Sequence, residues 1–127
     1  MQIIFPYYRD RPSITFQLLS KNGRWRYYTA LIDSGADFSI FPYLTAEILG
    51  IALASSQKII VQSADGDDFV VYRTHLTAKI ADKIISLPVG FSKNIQASHL
   101  VGRDVLFDLF KIEFDQQNRK VTFNSYN

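Results

Sequence analysis

The dipeptide Asn22-Gly23 stands between two runs of β-forming residues, 14–20 and 25–32, and this narrows what the chain can become. Asn-Gly readily supplies the positive φ angles of a tight turn, so the two runs are expected to pair as an antiparallel hairpin. The same punctuation recurs downstream. Residues 59–63 and 69–74 flank the polar stretch Ala64-Asp65-Gly66-Asp67-Asp68, residues 75–80 and 84–91 flank Ala81-Asp82-Lys83, and residues 112–115 and 120–123 flank 116–119. Ten Phe and seven Tyr, set among many Ile, Val and Leu, suit pleated, half-buried surfaces. The expected class is therefore all-β. A chain of 127 residues is too short for two ordinary domains, so residues 1–127 are read as one.

One or two short helices interrupt the strands. Pro42 suits a first helical turn and Gly50 suits the left-handed residue just past a helix end, which predicts a helix over Tyr43–Leu49. Residues 105–110 leave room for a turn or two more. There is no linker, low-complexity tract or internal repeat, and only one Asp-Ser-Gly triplet.

Composition excludes several classes of function. The net charge is +2 and the basic residues Arg9, Arg11, Lys21, Arg24 and Arg26 fall on different expected elements, so no nucleic-acid partner is expected. There is no cysteine, hence no disulfide framework, thiolate metal site or cysteine nucleophile. That fits a reducing compartment, and a cytoplasmic location is expected. The N-terminal Ile3-Ile4-Phe5 run is broken by Pro6 and lacks the flanks of a signal peptide, and no stretch approaches the length of a membrane span. His75 and His99 are not in metal-ligand spacing, and Asp65-Gly66-Asp67-Asp68 does not follow a calcium-loop pattern, so no metal or cofactor is expected.

Asp33 is the residue that asks for an explanation. It ends the apolar run Ala30-Leu31-Ile32, and a carboxylate so placed costs several kcal/mol unless it is paired, hydrogen-bonded or protonated. Such costs are mostly met at sites. Taken alone, Asp33-Ser34-Gly35 also reads as a plain turn, since all three residue types favour turns.

The wider segment Ala30-Leu31-Ile32-Asp33-Ser34-Gly35-Ala36-Asp37, continued by Ser39-Ile40-Phe41-Pro42, resembles the active-site signature of retropepsin-like aspartic peptidases. A second segment, Leu100-Val101-Gly102-Arg103-Asp104, resembles the apolar-apolar-Gly motif that lies beside the active-site loop in that family. The order and spacing of the two motifs match the family across nearly the whole chain. The resemblance implies a single-lobe, closed barrel-like acid-protease fold with a flap hairpin, and a homodimer whose copies meet at the Asp33 loops.

It also implies roles. Asp33, Ser34 and Gly35 would form the catalytic loop, with Ser34 hydrogen-bonded across the dimer and Gly35 letting the backbone pass close to substrate. Ala36 and Asp37, with Ser63, Ala64, Asp65 and Gly66 of the flap, would bind a peptide or protein substrate. Leu100, Val101, Gly102, Arg103 and Asp104 would support the site, with Asp37 and Arg103 in a buried ion pair. The flap match is weaker, because Gly66 stands alone among Asp65, Asp67 and Asp68 where such flaps are richer in glycine; the acidic tip reads either as turn chemistry or as a barrier to acidic peptides.

The chemistry follows from proximity. Two facing carboxylates cannot both ionise at close range, so they share one proton; one can then take a proton from a water while its mate donates to the scissile carbonyl. No cofactor is required. The expected function is thus a homodimeric aspartic endopeptidase, with a non-catalytic dimeric peptide-binding or assembly module as the alternative.

Overall fold

The structure is a computed structural model that describes residues 2–54, 56–63, 65–94 and 98–126. Among the described residues, ten strands and two short helices run β1 (Gln2–Pro6), β2 (Ser13–Leu19), β3 (Trp25–Ile32), β4 (Ser39–Pro42), α1 (Tyr43–Leu49), β5 (Gln57–Gln62), β6 (Asp68–Ile80), β7 (Lys83–Ser92), β8 (Leu100–Val101), α2 (Leu106–Leu109), β9 (Phe110–Asp115) and β10 (Lys120–Ser125). The all-β class expected from the sequence is the one observed.

The larger sheet has seven strands in the order β2-β3-β8-β4-β7-β6-β5, and β2 also pairs with β6. Six of its strands therefore form a hydrogen-bonded circuit, the barrel-like arrangement expected. Three links in it are thin: β2 meets β6 only at Gln17↔Lys79 and Leu18↔Ala78, β3 meets β8 only at Leu31↔Leu100 and Ile32↔Val101, and β4 meets β8 only at Ile40↔Leu100. Inside lie Ile14, Phe16, Leu18, Phe41, Leu87 and Val89, all 2% exposed or less. A separate antiparallel sheet, β1-β10-β9, packs Val121, Phe123 and Phe110 inward.

Local sequence codes account for the hairpins. Between β2 and β3 the Gly23 amide donates to the Ser20 carbonyl at 3.0 Å and the Ser20 amide to the Arg24 carbonyl at 2.8 Å. Within the turn only Gly23 takes a positive φ, +85°, so the connection is a type I turn closed by a left-handed glycine. The cause is tertiary as well as local: the Lys21 amide is drawn to the Leu49 carbonyl at the end of α1, at 2.8 Å. The β5–β6 hairpin repeats the code. Ser63, Asp65, Gly66 and Asp67 reproduce the bonds of Ser20, Asn22, Gly23 and Arg24, with Gly66 at φ +92°.

Three features depart from expectation. Residues 69–74 and 75–80, expected as arms of two separate hairpins, are one continuous strand, β6, of 13 residues that serves both hairpins, pairing with β5 and with β7. Residues 2–6 form a strand on the edge of the small sheet, where Ile3 faces Phe123 and Phe5 faces Val121. Ser39–Pro42 is itself a strand, parallel to β7, before the chain turns into α1. Each of these is fixed by a partner far away in sequence. Among the described residues no helix is long and apolar enough to cross a membrane.

Phe41 packs against rings from three parts of the larger sheet, with centroids 5.9 Å from Phe16, 6.2 Å from Phe91 and 5.0 Å from His99. Phe41→Ala is expected to destabilise the fold by about 3–5 kcal/mol, read as a lower denaturant midpoint at unchanged m-value.

Candidate active site

Asp33 sits where two strands that do not touch are joined. β3 runs into the loop and β4 runs out of it, and the short β8 is inserted between them, parallel to β3 and antiparallel to β4. The Leu31 amide donates to the His99 carbonyl at 3.0 Å and the Asp33 amide to the Val101 carbonyl at 2.9 Å. On the far side of the loop the Arg103 amide donates to the Ala36 carbonyl at 2.9 Å and the Asp104 amide to the Asp37 carbonyl at 2.7 Å. Both sides of the loop are thereby fastened to one segment, residues 99–104.

Gly102 is the tightest point. A β-carbon there would lie 2.6 Å from the Phe38 carbonyl oxygen and 2.8 Å from that of Ala36, and backbone cannot swing aside as a flexible side chain can. Its amide donates to Oγ of the buried Ser39 at 3.1 Å. Just beyond, Val105 holds φ +69° while the Leu106 amide donates back to the Asp104 carbonyl at 2.8 Å, a strained γ-turn for a β-branched residue.

Asp33 is half-buried, and one of its carboxylate oxygens accepts the Gly35 amide at 3.0 Å. Ser34 and Gly35 are exposed on the crest of the loop. A β-carbon at Gly35 would meet only Asp33 Oδ1, at 3.4 Å, an ordinary contact. Among the described residues nothing else crowds this glycine.

A cleft of about 560 Å³ opens beside the carboxylate. Asp33, Gly35, Ala36 and Asp37 form its floor, and Val61 and Phe69, a cross-strand pair of the β5–β6 hairpin, form an apolar wall. Phe38 and Gln62 also line it, although neither stood out in the sequence. Ser63 lines the same cleft, while Asp65 lines a neighbouring pocket of about 470 Å³ with Asp67 and Asp68. Gly66 provides the turn at the hairpin tip and Ala64 lies outside the described residues. Asp65 accepts from the Ser63 hydroxyl and the Asp67 amide, in that order of effect, and these bonds hold its pKa below the usual value. The acidic tip is thus organised as turn chemistry.

Asp37 and Arg103 do form an ion pair. It is not buried, however: their side chains are 77% and 50% exposed, because the pair lies on the open side of the loop. Leu100 lines the cleft, Val101 is fully buried, and Asp104 lies 3.8 Å from Arg73. Among the described residues no group of three or more His, Cys, Asp and Glu is placed to hold a metal.

The sequence matches no family model and no curated protein. Its structure does find counterparts. A retropepsin-like aspartic protease from Rickettsia conorii superposes with a TM-score of 0.74 at 17% identity, covering 98% of this chain and 91% of that one. The fold is that of the retropepsin-like aspartic proteases. The EIAV protease, solved with the inhibitor HBY-793, superposes with a TM-score of 0.59 at 22% identity, covering 78% of this chain and 88% of that one. Within this retropepsin-like fold the Asp33 loop and the segment from Leu100 to Asp104 are held together by the hydrogen bonds described above.

His99 stabilises the segment behind the site. Its ring lies 5.0 Å from both Tyr28 and Phe41, and Nε2 is 2.8 Å from the Thr45 hydroxyl of α1. Burial lowers its pKa from 6.5 to about 4. A depressed histidine contributes stability that is complete above pH 6.5 and is lost as pH falls towards 4, because the unfolded chain takes up the proton first. Relative to His99→Gln, the wild type should lose roughly 1–2 kcal/mol between pH 7 and pH 4.5, allowing for the ring's partial exposure; denaturant titrations across that range check it.

Gly102→Ala is expected to cost about 2–3 kcal/mol and to disturb the Asp33 loop. Gly35→Ala should leave the stability of the chain within about 0.5–1 kcal/mol of wild type, a contrast that thermal or denaturant unfolding measures directly.

Proposed function

We propose that this chain is an aspartic endopeptidase that works as a homodimer, hydrolysing peptide bonds with a water held between the two Asp33 carboxylates. The observation that carries the reading is the Asp33 loop itself. A half-buried carboxylate, fixed through its own amide to Val101 and through Oδ1 to the Gly35 amide, stands at the floor of an open cleft with an apolar wall. The crest beside it is exposed, as a surface that meets its own copy across a two-fold axis would be in the separated chain.

The chemistry needs two such acids. Brought together, they share one proton, since a second negative charge at close range is strongly disfavoured. The ionised member takes a proton from the water as its oxygen attacks the scissile carbonyl, and the protonated member donates to the carbonyl oxygen. A tetrahedral diol results. It collapses when the amide nitrogen receives a proton, which breaks the C–N bond and releases the two product ends. The peptide would lie extended along the hairpin, as an added strand, with an apolar side chain against Val61 and Phe69.

Exposure of the Asp37–Arg103 pair in the single chain fits the same reading, because that pair lies beside the loop that the second copy would approach. Gly35 fits too. With so little crowding from its own chain, its lack of a side chain is best explained by substrate or partner backbone passing close by.

Asp33→Asn keeps shape and removes the titrating acid, so cleavage of a diverse peptide mixture should fall about 10²–10⁴-fold with stability unchanged. Specific activity should also rise with protein concentration through the dimerisation constant, as each chain holds half a site. A dimer that cleaves nothing would leave the peptide-binding module as the better account, and full activity in Asp33→Asn would remove Asp33 from the chemistry.

A further inference from the structure

Phe38 is the residue of the Asp33 loop for which the sequence offers no role, and its surroundings give it one. Its ring lies on Gly90 of β7: a β-carbon at Gly90 would stand 2.8 Å from Phe38 Cε2 and 2.9 Å from Val71 Cγ2. Its carbonyl lies against the bare Cα of Gly102. Two glycines from distant parts of the chain thus make the seat into which this one residue fits.

Arg73 closes the seat from the other side. It stands opposite Gly90 in the β6–β7 ladder, and its guanidinium carbon is 5.2 Å from the centre of the Phe38 ring. The same guanidinium is 3.8 Å from Oδ2 of Asp104, whose backbone amide holds the Asp37 carbonyl at 2.7 Å. Arg73 therefore contacts the loop through Phe38 and the arm that fastens the loop through Asp104. It does so from β6, whose outer half forms the β5–β6 hairpin over the cleft. A planar guanidinium suits both tasks, stacking on a ring face while pairing with a carboxylate at its edge, which an ammonium cannot do at once.

We propose that Arg73 and Phe38 act as one positioning unit that sets the height of the Asp33 loop beneath the β5–β6 hairpin. The inference rests on the peptidase reading for its kinetic consequence, but its structural content stands apart from it. Neither residue touches the reacting atoms in this account. Their effect is on where the Asp33 carboxylate sits, and a displacement of about 1 Å in a reacting group costs on the order of 10²-fold in rate.

The test compares Arg73→Met, Arg73→Lys, Phe38→Leu and the Arg73→Met/Phe38→Leu pair with wild type. Kinetics are measured on a peptide substrate at protein concentrations that saturate the dimer. The positioning unit predicts a fall in kcat of roughly 10-fold or more for Arg73→Met with KM changed less than about 3-fold, partial recovery in Arg73→Lys, and a double variant no worse than the poorer single one. Losses that multiply, or a change confined to KM, would overturn it.

Amide hydrogen exchange supplies the arm that needs no activity. Arg73→Met should speed exchange of the Arg103 and Asp104 amides, which are bonded to the loop carbonyls, about 10-fold or more while leaving Phe123 in the small sheet unchanged. Unchanged exchange at Arg103 and Asp104 would sink the positioning unit whether or not the chain cleaves peptides. Faster exchange in a chain that cleaves nothing would uphold the unit and refute the peptidase reading instead.

Discussion

Everything near the candidate site depends on one close approach between backbones. The loop carrying Asp33 joins two strands separated by a third, so it has no continuous ladder to define its course. Its course comes from residues 99–104, which accept two of its amides before Gly102 and donate to two of its carbonyls after it. That arrangement exists only because Gly102 lets the Phe38 and Ala36 carbonyls come nearer than any side chain would permit. A two-residue strand, trivial by length, thus determines where a carboxylate stands.

How much of this was legible follows from how local each cause is. Hairpins could be read because a serine, an Asn or Asp two positions on, and a glycine after that specify the same turn twice, once at Ser20 and once at Ser63. Helix α1 could be read from Pro42 and Gly50, the latter at φ +74°. β1, β4 and β8 could not, since five, four and two residues carry too little pattern and their partners are far off in the chain. Within the candidate site, the two motifs pointed to Asp33 and Gly102, whereas Phe38 and Arg73 meet only in three dimensions. The Asp37–Arg103 pair was anticipated from resemblance and did form, but exposed rather than buried.

The interior and the site are also bound to one another through His99. Its carbonyl belongs to the segment that fastens β3, while its ring is held among Tyr28, Phe41 and Thr45 in the interior. Acidification that charges the ring would therefore loosen the interior and the loop together. Burial pushes the Tyr28 hydroxyl upward, with Arg26 opposing, so that neighbour stays neutral and offers no counter-charge.

β6 gives this architecture an arithmetic. Near the barrel its even-numbered residues Leu76, Ala78 and Ile80 are buried, whereas towards the hairpin its odd-numbered residues Phe69, Val71 and Arg73 face the cleft and the Asp33 loop. Ten consecutive pairings with β7 run without a bulge across the changeover. Parity is consequently shared by two tasks: one residue added midway would turn either the core set or the cleft set inside out unless a bulge absorbed it.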